Sequence, residues 1–343
     1  MTGPSSAMPR RRRTRSSRPP ASSPDMVRIV RQGGRYILEG HRGEGSFRDL
    51  LKWQMEGQRA RWPRRVENRS FPPPPQRVEG DALKATWIGH STVLLQTAGL
   101  NILTDPFLSA RASPVPFAGP RRVRAAALGP ETLPPIDLIL LSHNHYDHMD
   151  LPALRRIARR HQAHVVTPHG NGRWVRRASS AFTIDELGWG DAVEHKGLKL
   201  HLTPALHWSK RGFFDANAAL WGAFVIEAPG GPIYFAADTG FGTGSTFADV
   251  KECFGAPRLS LLPIGAYEPR WFMHPQHMNP DEAVKAHKLL GTRASLAIHH
   301  GTIQLTDEAI DAPVEALKQA LTEHSVDPAS FLVPDAGETR EID

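Results

Sequence analysis

Asp137-Leu138-Ile139-Leu140-Leu141-Ser142-His143-Asn144-His145-Tyr146-Asp147-His148 is the stretch that decides the fold of this chain. Four apolar residues in a row after Asp137 describe a short buried strand. At its end the chain presents His-x-His-x-Asp-His. Residues two apart on an extended segment face the same way, so His143 and His145 can hold one ion. The chain then turns, and Asp147 and His148 can serve a second ion beside the first. Asn144 and Tyr146, lying between them, point elsewhere. Imidazole and carboxylate donors suit zinc and similar divalent cations. A surface histidine cluster without metal is the plain alternative, and the buried strand in front argues against it.

Further donors lie at other strand ends. His207 follows Leu198–Leu202 and the turn Thr203-Pro204. Asp238 follows Ile233–Ala236 and precedes Thr239-Gly240, where a carboxylate could bridge two ions. His299 ends the apolar run Leu296-Ala297-Ile298. Each alone is weak, because a lone histidine is more often a satisfied core or surface residue. Their joint placement after strands raises them.

Strands are expected at Thr86–Ile88, Val93–Leu95, Ile102-Leu103, Val165-Val166, Leu198–Leu202, Leu220–Glu227, Ile233–Ala236, Leu259–Leu262 and near Phe331–Val333. Helices are expected at Leu151–Arg160, Asp281–Leu290 and Asp307–Glu323, and a long loop at Pro106–Pro135. No repeat of fixed period occurs. This mixed order predicts a layered α/β architecture with sheets inside. Upstream, residues 26–45 give no clear period. From a cap at Ser46, a helix is expected to pack on the body through Phe47, Leu50, Leu51 and Met55, a membrane-surface helix being the alternative. Phe71-Pro72-Pro73-Pro74-Pro75 reads as a stiff connector. The expected organisation is a disordered basic tail over 1–25, an extension and connector over 26–82, and a catalytic domain over 83–343.

The 343 residues carry a net charge of +7. Arg10, Arg11, Arg12, Arg13, Arg15 and Arg18 lie within residues 1–20, which hold no acid. Removing these six from the 42 Lys and Arg leaves 36 against 35 Asp and Glu, a body of net charge +1. A nucleic-acid enzyme would more often carry the basic charge on its folded surface, so no nucleic-acid partner is expected. No apolar run follows the arginines, as a secretory signal would require. No stretch reaches the roughly 20 apolar residues of a membrane helix. The single cysteine, Cys253, excludes an internal disulfide and a thiolate zinc cluster. A cytoplasmic location, or a peripheral one at a membrane, is expected.

Several blocks carry a family resemblance. They are Trp87-Ile88-Gly89-His90-Ser91-Thr92-Val93, Thr104-Asp105-Pro106, Arg111-Ala112-Ser113-Pro114, Leu133-Pro134-Pro135-Ile136-Asp137, the motif at 142–148, His207-Trp208 with Lys210-Arg211, Leu220-Trp221-Gly222, Pro263 to Met273 with Gln276-His277, and Ile298-His299 with Gly301-Thr302. Together they resemble the metallo-β-lactamase superfamily, and within it the family of N-acylphosphatidylethanolamine-hydrolysing phospholipase D and its bacterial relatives, over about residues 84–337. The resemblance implies an αβ/βα four-layer sandwich with two mixed sheets inside and helices outside. It implies two divalent ions, zinc by expectation: the first on His143, His145 and His207, the second on Asp147, His148 and His299, with Asp238 between them. Asp105 and His90 would support the ligands from behind. His300 stands where the family has an aromatic residue, so His299 is taken as ligand with His300 as fallback.

The implied chemistry is hydrolysis of a phosphodiester, in which a hydroxide between the metals attacks phosphorus. Asp147 and Asp238 hold the ions, and His277 orients substrate or protonates the leaving group. Tyr146 and Gln276 could bond the phosphate. Tyr267, Arg270 and Trp271 look like pocket wall, with Arg270 expected in a salt bridge with Glu268 rather than on phosphate. Expected partners are a phospholipid or small phosphoester, with peripheral membrane contact and a homodimer left open. The rival enzyme is a metal-dependent lactonase or esterase of the same fold acting on a small sugar-phosphate substrate. A non-enzymatic scaffold would predict a broken ligand set. The sequence has no Gly-x-Ser-x-Gly elbow, no His-Glu-x-x-His and no phosphate loop ending in Gly-Lys.

Overall fold

A computed structural model describes residues 27–40 and 47–343. The expected tail over 1–25 and the expected cap at Ser46 lie outside the described residues.

Strand periodicity builds the interior. Along β3 (Leu83–Gly89), β4 (Thr92–Thr97), β5 (Leu100–Thr104) and β6 (Leu138–Leu140), alternate residues face opposite ways. Leu83, Ala85, Trp87, Val93, Leu95, Ile102, Leu138 and Leu140 point into a central cluster. Their neighbours Ile88, Leu94, Leu103, Ile139 and Leu141 point the other way, towards helices. With β7 (His164–Pro168), β8 (Thr183–Leu187) and β16 (Thr339–Ile342) they form a seven-stranded sheet in the order β16-β3-β4-β5-β6-β7-β8. It is antiparallel from β16 to β5 and parallel from β5 to β8.

The second sheet repeats the scheme. It runs β15-β14-β13-β12-β11-β10-β9 through β9 (Ala192–His195), β10 (Leu198–Thr203), β11 (Ala223–Glu227), β12 (Ile233–Phe235), β13 (Leu259–Pro263), β14 (Ala294–Ile298) and β15 (Phe331–Leu332). Leu200, Leu202, Phe224, Ile233, Leu259, Leu261 and Leu296 meet the first sheet in the central cluster. Both sheets therefore bury both faces, which explains their near-continuous apolar runs.

Helices cover the outer faces. On the first sheet lie α2 (Leu151–Ala158) and α3 (Gly172–Ala178). The Asp150 side chain accepts the Ala153 N–H and so starts α2. Over the second sheet lie α4 (Ser245–Phe254), α6 (Pro280–Leu290) and α7 (Ala312–Glu323). Asn279 and Glu282 close a reciprocal capping box on α6, and Gly291 ends it in the left-handed conformation. The result is the four-layer arrangement expected from the resemblance.

Two upstream expectations need correction. Residues 26–45 do contain regular structure: β1 (Ile29–Gln32) and β2 (Arg35–Leu38) pair antiparallel around Gly33-Gly34. Both glycines have positive φ, which a two-residue hairpin turn requires. The helix α1 (Phe47–Glu56) does pack on the body, but not through the expected face. Leu50, Leu51 and Met55 are exposed, whereas Trp53 is buried. Trp53 stacks on Phe272, 5.3 Å between ring centroids, and its Nε1 donates to Asp307 Oδ1 at 2.9 Å. One aromatic anchor with a satisfied N–H outweighs the aliphatic stripe and sets the rotation of the helix. Asp307 is thereby used as a docking point, and α7 begins at Ala312 rather than at 307. Among the described residues no helix is long and apolar enough to cross a membrane.

Asp137 fixes the entry to β6. Its carboxylate accepts the Asn101 N–H at 3.1 Å and pairs with Arg77 and with Lys196, the latter at 2.7 Å. Burial alone would raise this carboxyl, but Arg77, Lys196 and the Asn101 N–H outweigh it and hold it below the usual range. A depressed carboxyl stabilises the fold above its unfolded pKa of about 3.9, and that stability is lost as pH falls through the lower folded value. Asp137→Asn is therefore expected to lower unfolding free energy by about 1–2 kcal/mol at pH 7, since both cations are partly exposed. The gap to the parent should close as pH falls below about 4. Denaturant midpoints measured across pH check this; a gap independent of pH would contradict it.

Candidate metal centre

Every candidate ligand sits just beyond the carboxyl end of a strand. His143–His148 follow β6, His207 follows β10, Asp238 follows β12 and His299 follows β14. His90 follows β3 and Asp105 follows β5. The two sheets thus deliver their strand ends to one edge of the sandwich, the place where open α/β sheets gather ligands. The backbone there is strained. His90, Asp105, Ala237, Ala266 and His299 all have positive φ, a conformation that disfavours side chains and clusters at functional sites. Gly265 makes the closest approach: a Cβ on it would lie 2.2 Å from the His299 carbonyl oxygen, so only glycine fits beside that turn.

The side chains form two linked groups. In the first, His143 Nε2 lies 2.9 Å from His145 Nδ1, and His207 Nε2 lies 3.3 Å from the same atom. In the second, His299 Nε2 is 3.5 Å and His148 Nε2 3.4 Å from Asp147 Oδ2. Asp238 Oδ2 lies between the groups, 3.1 Å from His148 Nε2, 3.1 Å from His299 Nε2 and 3.9 Å from His207 Nε2. His277 Nδ1 approaches the same oxygen at 4.0 Å. Eight histidine and carboxylate side chains therefore converge on a few shared atoms.

Supporting contacts aim them. Asp105 is fully buried and accepts three bonds: from Ser142 N at 2.8 Å, Ser142 Oγ at 2.5 Å and His148 Nδ1 at 2.7 Å. This leaves His148 Nε2 facing the centre, the usual carboxylate–histidine arrangement behind a metal. His90 Nε2 bonds Asp147 Oδ2 at 2.9 Å, and the His207 Nδ1–H donates to the Gln276 carbonyl at 3.1 Å. Arg211 Nη1 donates to the carbonyls of Asn144 and Met149 at 3.0 and 2.7 Å and so clamps the motif's backbone. Sequence reasoning noted Ser142, Arg211 and Trp208 within the family blocks but gave them no role; the Trp208 ring packs edge-on against His145. Their adjacency to His143 and His207 was the available signal.

The electrostatics suit a bound cation. Burial drives His145 down to about 3 and His207 to about 4, and holds His143 well below the ordinary range. These imidazoles are neutral at physiological pH, the form that ligates metal. Burial pulls His299 down too, but Asp238 and Asp147 overcome it and hold it at about 9. Burial would raise Asp238, yet His148 and His299 keep it well below the carboxylate range. Protons on histidines thus balance the carboxylates where a cation would otherwise do so. His145 Nε2, Asp238 Oδ1 and His277 Nδ1 are buried without a hydrogen-bond partner. Buried polar atoms left unpaired are costly, and this donor set of imidazoles and carboxylates is what divalent zinc-like ions take. The residues present fit such ions.

Other expected contacts fall out differently. Tyr146 donates its hydroxyl to the Arg211 carbonyl at 2.7 Å and lies under the Arg211 guanidinium. Gln276 is buried with its Oε1 free of partners. The expected Arg270–Glu268 salt bridge is not formed. Arg270 Nη2 instead reaches Glu282 Oε2 at 2.8 Å, while Glu268 Oε2 accepts the Arg270 backbone N–H. The capping box turns Glu282 back towards Arg270, and the His277 carbonyl takes the second guanidinium nitrogen at 3.0 Å. Arg270 therefore anchors the segment that carries His277 and is not available for phosphate. Tyr267 is buried, and burial with Glu308 pushes its hydroxyl up to about 12. Trp271 is half-exposed and borders a separate cavity beside Trp53 and Glu56. His300 stacks on Trp87, 4.8 Å between ring centroids, instead of joining the ligand groups.

Comparison with known proteins places this arrangement. A family model described as "Beta-lactamase superfamily domain" matches residues 100–300. The chain is 39% identical over 270 residues to N-acyl-phosphatidylethanolamine-hydrolyzing phospholipase D 1 of Caenorhabditis elegans, covering 76% of each protein. It is 36% identical to the mitochondrial N-acyl-phosphatidylethanolamine-hydrolyzing phospholipase D of Saccharomyces cerevisiae, covering 68% of this chain and 50% of the yeast protein. Among solved structures, a possible metal-dependent hydrolase from Veillonella parvula superposes with a TM-score of 0.62 at 18% identity, covering 76% of this chain and 99% of that one. That likeness shows the fold.

Proposed function

This chain belongs to the beta-lactamase superfamily of metal-dependent hydrolases, and on that premise we propose that it is a two-metal phosphodiesterase of the phospholipase D type. The substrate class is N-acylphosphatidylethanolamine-like lipids, cleaved to phosphatidic acid and an N-acylethanolamine. One observation carries the two-metal reading: Asp238 Oδ2 stands within 3.9 Å of imidazoles from both ligand groups. The lipid reading draws on the activity named for the nematode and yeast relatives.

His143, His145 and His207 would hold one ion, Asp147, His148 and His299 the other, with Asp238 shared. When bound, such ions lower the pKa of water towards neutrality and neutralise phosphate oxygens. The chain's own work is positioning. Asp105 and His90 keep His148 and Asp147 in line. His277 is held well below the usual histidine range by burial, so it is neutral. That favours the first of its two expected roles, orienting a substrate oxygen, over donating a proton. Arg270 steadies the backbone on which His277 sits.

Incubation of the full-length protein with N-acylphosphatidylethanolamine in water enriched in oxygen-18 tests this. Attack at phosphorus puts the label in phosphatidic acid and leaves the N-acylethanolamine unlabelled. Label in a released fatty acid, or cleavage of lactones alone, would replace phosphodiester hydrolysis with the esterase alternative.

A further inference from the structure

Away from the metal centre, Arg64, Arg65, Arg121, Arg122 and Arg156 line one cavity of about 440 Å³. No carboxylate lines it. In a body whose charge is nearly balanced, such convergence of one sign raises the local potential for an anion. The arrangement is built, not accidental. A parallel bridge between Val66 and Arg124, with the Val66 N–H donating to the Val123 carbonyl at 2.8 Å, fixes the segment bearing Arg64 and Arg65 beside Arg121 and Arg122. Arg156 comes from α2. Arg65 and Arg156 have exposed partners in Glu67 and Glu131. Among the described residues Arg64 and Arg121 have no ion-pair partner.

Arg122 forms the inner wall of the cavity. It is only 7% exposed. Its Nη1 and Nε donate to the carbonyls of Phe107 and Arg124, and its Nη2 packs against Gly89 without a hydrogen-bond partner. Its guanidinium donates to carbonyls and makes no direct ion pair among the described residues, so its burial is costly. Burial lowers it to about 10, and the nearby Asp150 carboxylate offsets this only in part. The remaining wall is apolar, with Leu108, Val123, Ala126 and Pro130.

We propose that this cavity binds a phosphomonoester group, at a site separate from the metal centre. Planar guanidinium forks match the oxygens of a phosphate, and the apolar wall favours a lipid as the source, of which phosphatidic acid is the simplest. That choice of lipid rests on the phospholipase D reading; the anion site itself does not. The site is mechanically joined to the metal centre. The Arg122 guanidinium lies 4.7 Å over the Phe107 ring, Phe107 meets His90 edge-on at 5.7 Å, and His90 bonds Asp147.

Sedimentation of the full-length protein with phosphatidylcholine vesicles tests the site, with phosphatidic acid or phosphatidylglycerol added at equal charge. The Arg-rich residues 10–18 attract both lipids alike, so the readout is the preference for the monoester. The parent should prefer phosphatidic acid. The double variant Arg64→Gln/Arg121→Gln should lose about 25-fold in binding to it, at roughly fivefold per arginine near an anionic surface, with both metals retained. Unchanged preference in the variant, or none in the parent, would overturn the proposal. Glycerol 3-phosphate displacing the parent from phosphatidic acid vesicles would support the phosphomonoester site and move its source to a soluble ester. Binding is read without turnover. A protein that hydrolyses only lactones yet keeps the Arg64- and Arg121-dependent preference would lose the proposed function and keep this site.

Discussion

Asp238→Asn is expected to lower kcat by about a thousandfold or more while the chain stays folded. A residue that merely supports a ligand costs about 10–100-fold in metal affinity or activity, and Asp238 touches both ligand groups directly. Asparagine keeps the volume and one carbonyl oxygen but removes the negative charge that would hold the two proposed cations together. The loss should therefore fall on kcat and on metal content, with far-ultraviolet circular dichroism unchanged. In the metal-free protein the same carboxylate, together with Asp147, holds His299 at about 9 against burial. The substitution should thus release His299 to lower values, visible as an upfield-shifting imidazole titration by NMR. A variant with parental turnover and metal content would remove Asp238 from the bridge.

Asp105→Ala is expected to have the second largest effect, and on two quantities at once. The carboxylate is fully buried and satisfies Ser142 N, Ser142 Oγ and His148 Nδ1. Deleting it leaves three buried donors unpaired, each worth about 1–3 kcal/mol. Their loss overlaps, so about 3–5 kcal/mol of unfolding free energy is the expected total. Metal retention against a chelator should fall by about 10–100-fold because His148 is no longer aimed. Asp105→Asn, whose amide oxygen can still accept one donor, should fall between parent and alanine on both scales. Equal metal retention in all three proteins would reduce Asp105 to a turn residue before Pro106.

The convergence of the candidate ligands was legible because strand ends are legible. His143, His145, Asp147 and His148 follow an apolar run that reads as a buried strand, and His207, Asp238 and His299 repeat that placement. Burial on both faces of each sheet kept those runs continuous. What was not legible depended on contacts distant in sequence or on competition between anchors. The rotation of α1 is set by Trp53 reaching Asp307, 254 residues away, against a pattern that favoured Leu50, Leu51 and Met55. Arg270 chose Glu282 over the adjacent Glu268 because a capping box fixes Glu282. The β1–β2 hairpin was hidden by its short, half-polar strands, although Gly33-Gly34 between them is a turn signal. The arginine-lined cavity draws on three separated segments that no local pattern joins.

Metal analysis of the gently purified full-length protein tests the two-metal centre most directly. Two ligand groups sharing Asp238 predict close to two divalent ions per chain, falling towards one or fewer in Asp238→Asn. A parent protein that carries no divalent metal, and takes up none when it is supplied, would contradict the centre and with it the hydrolase mechanism built on it.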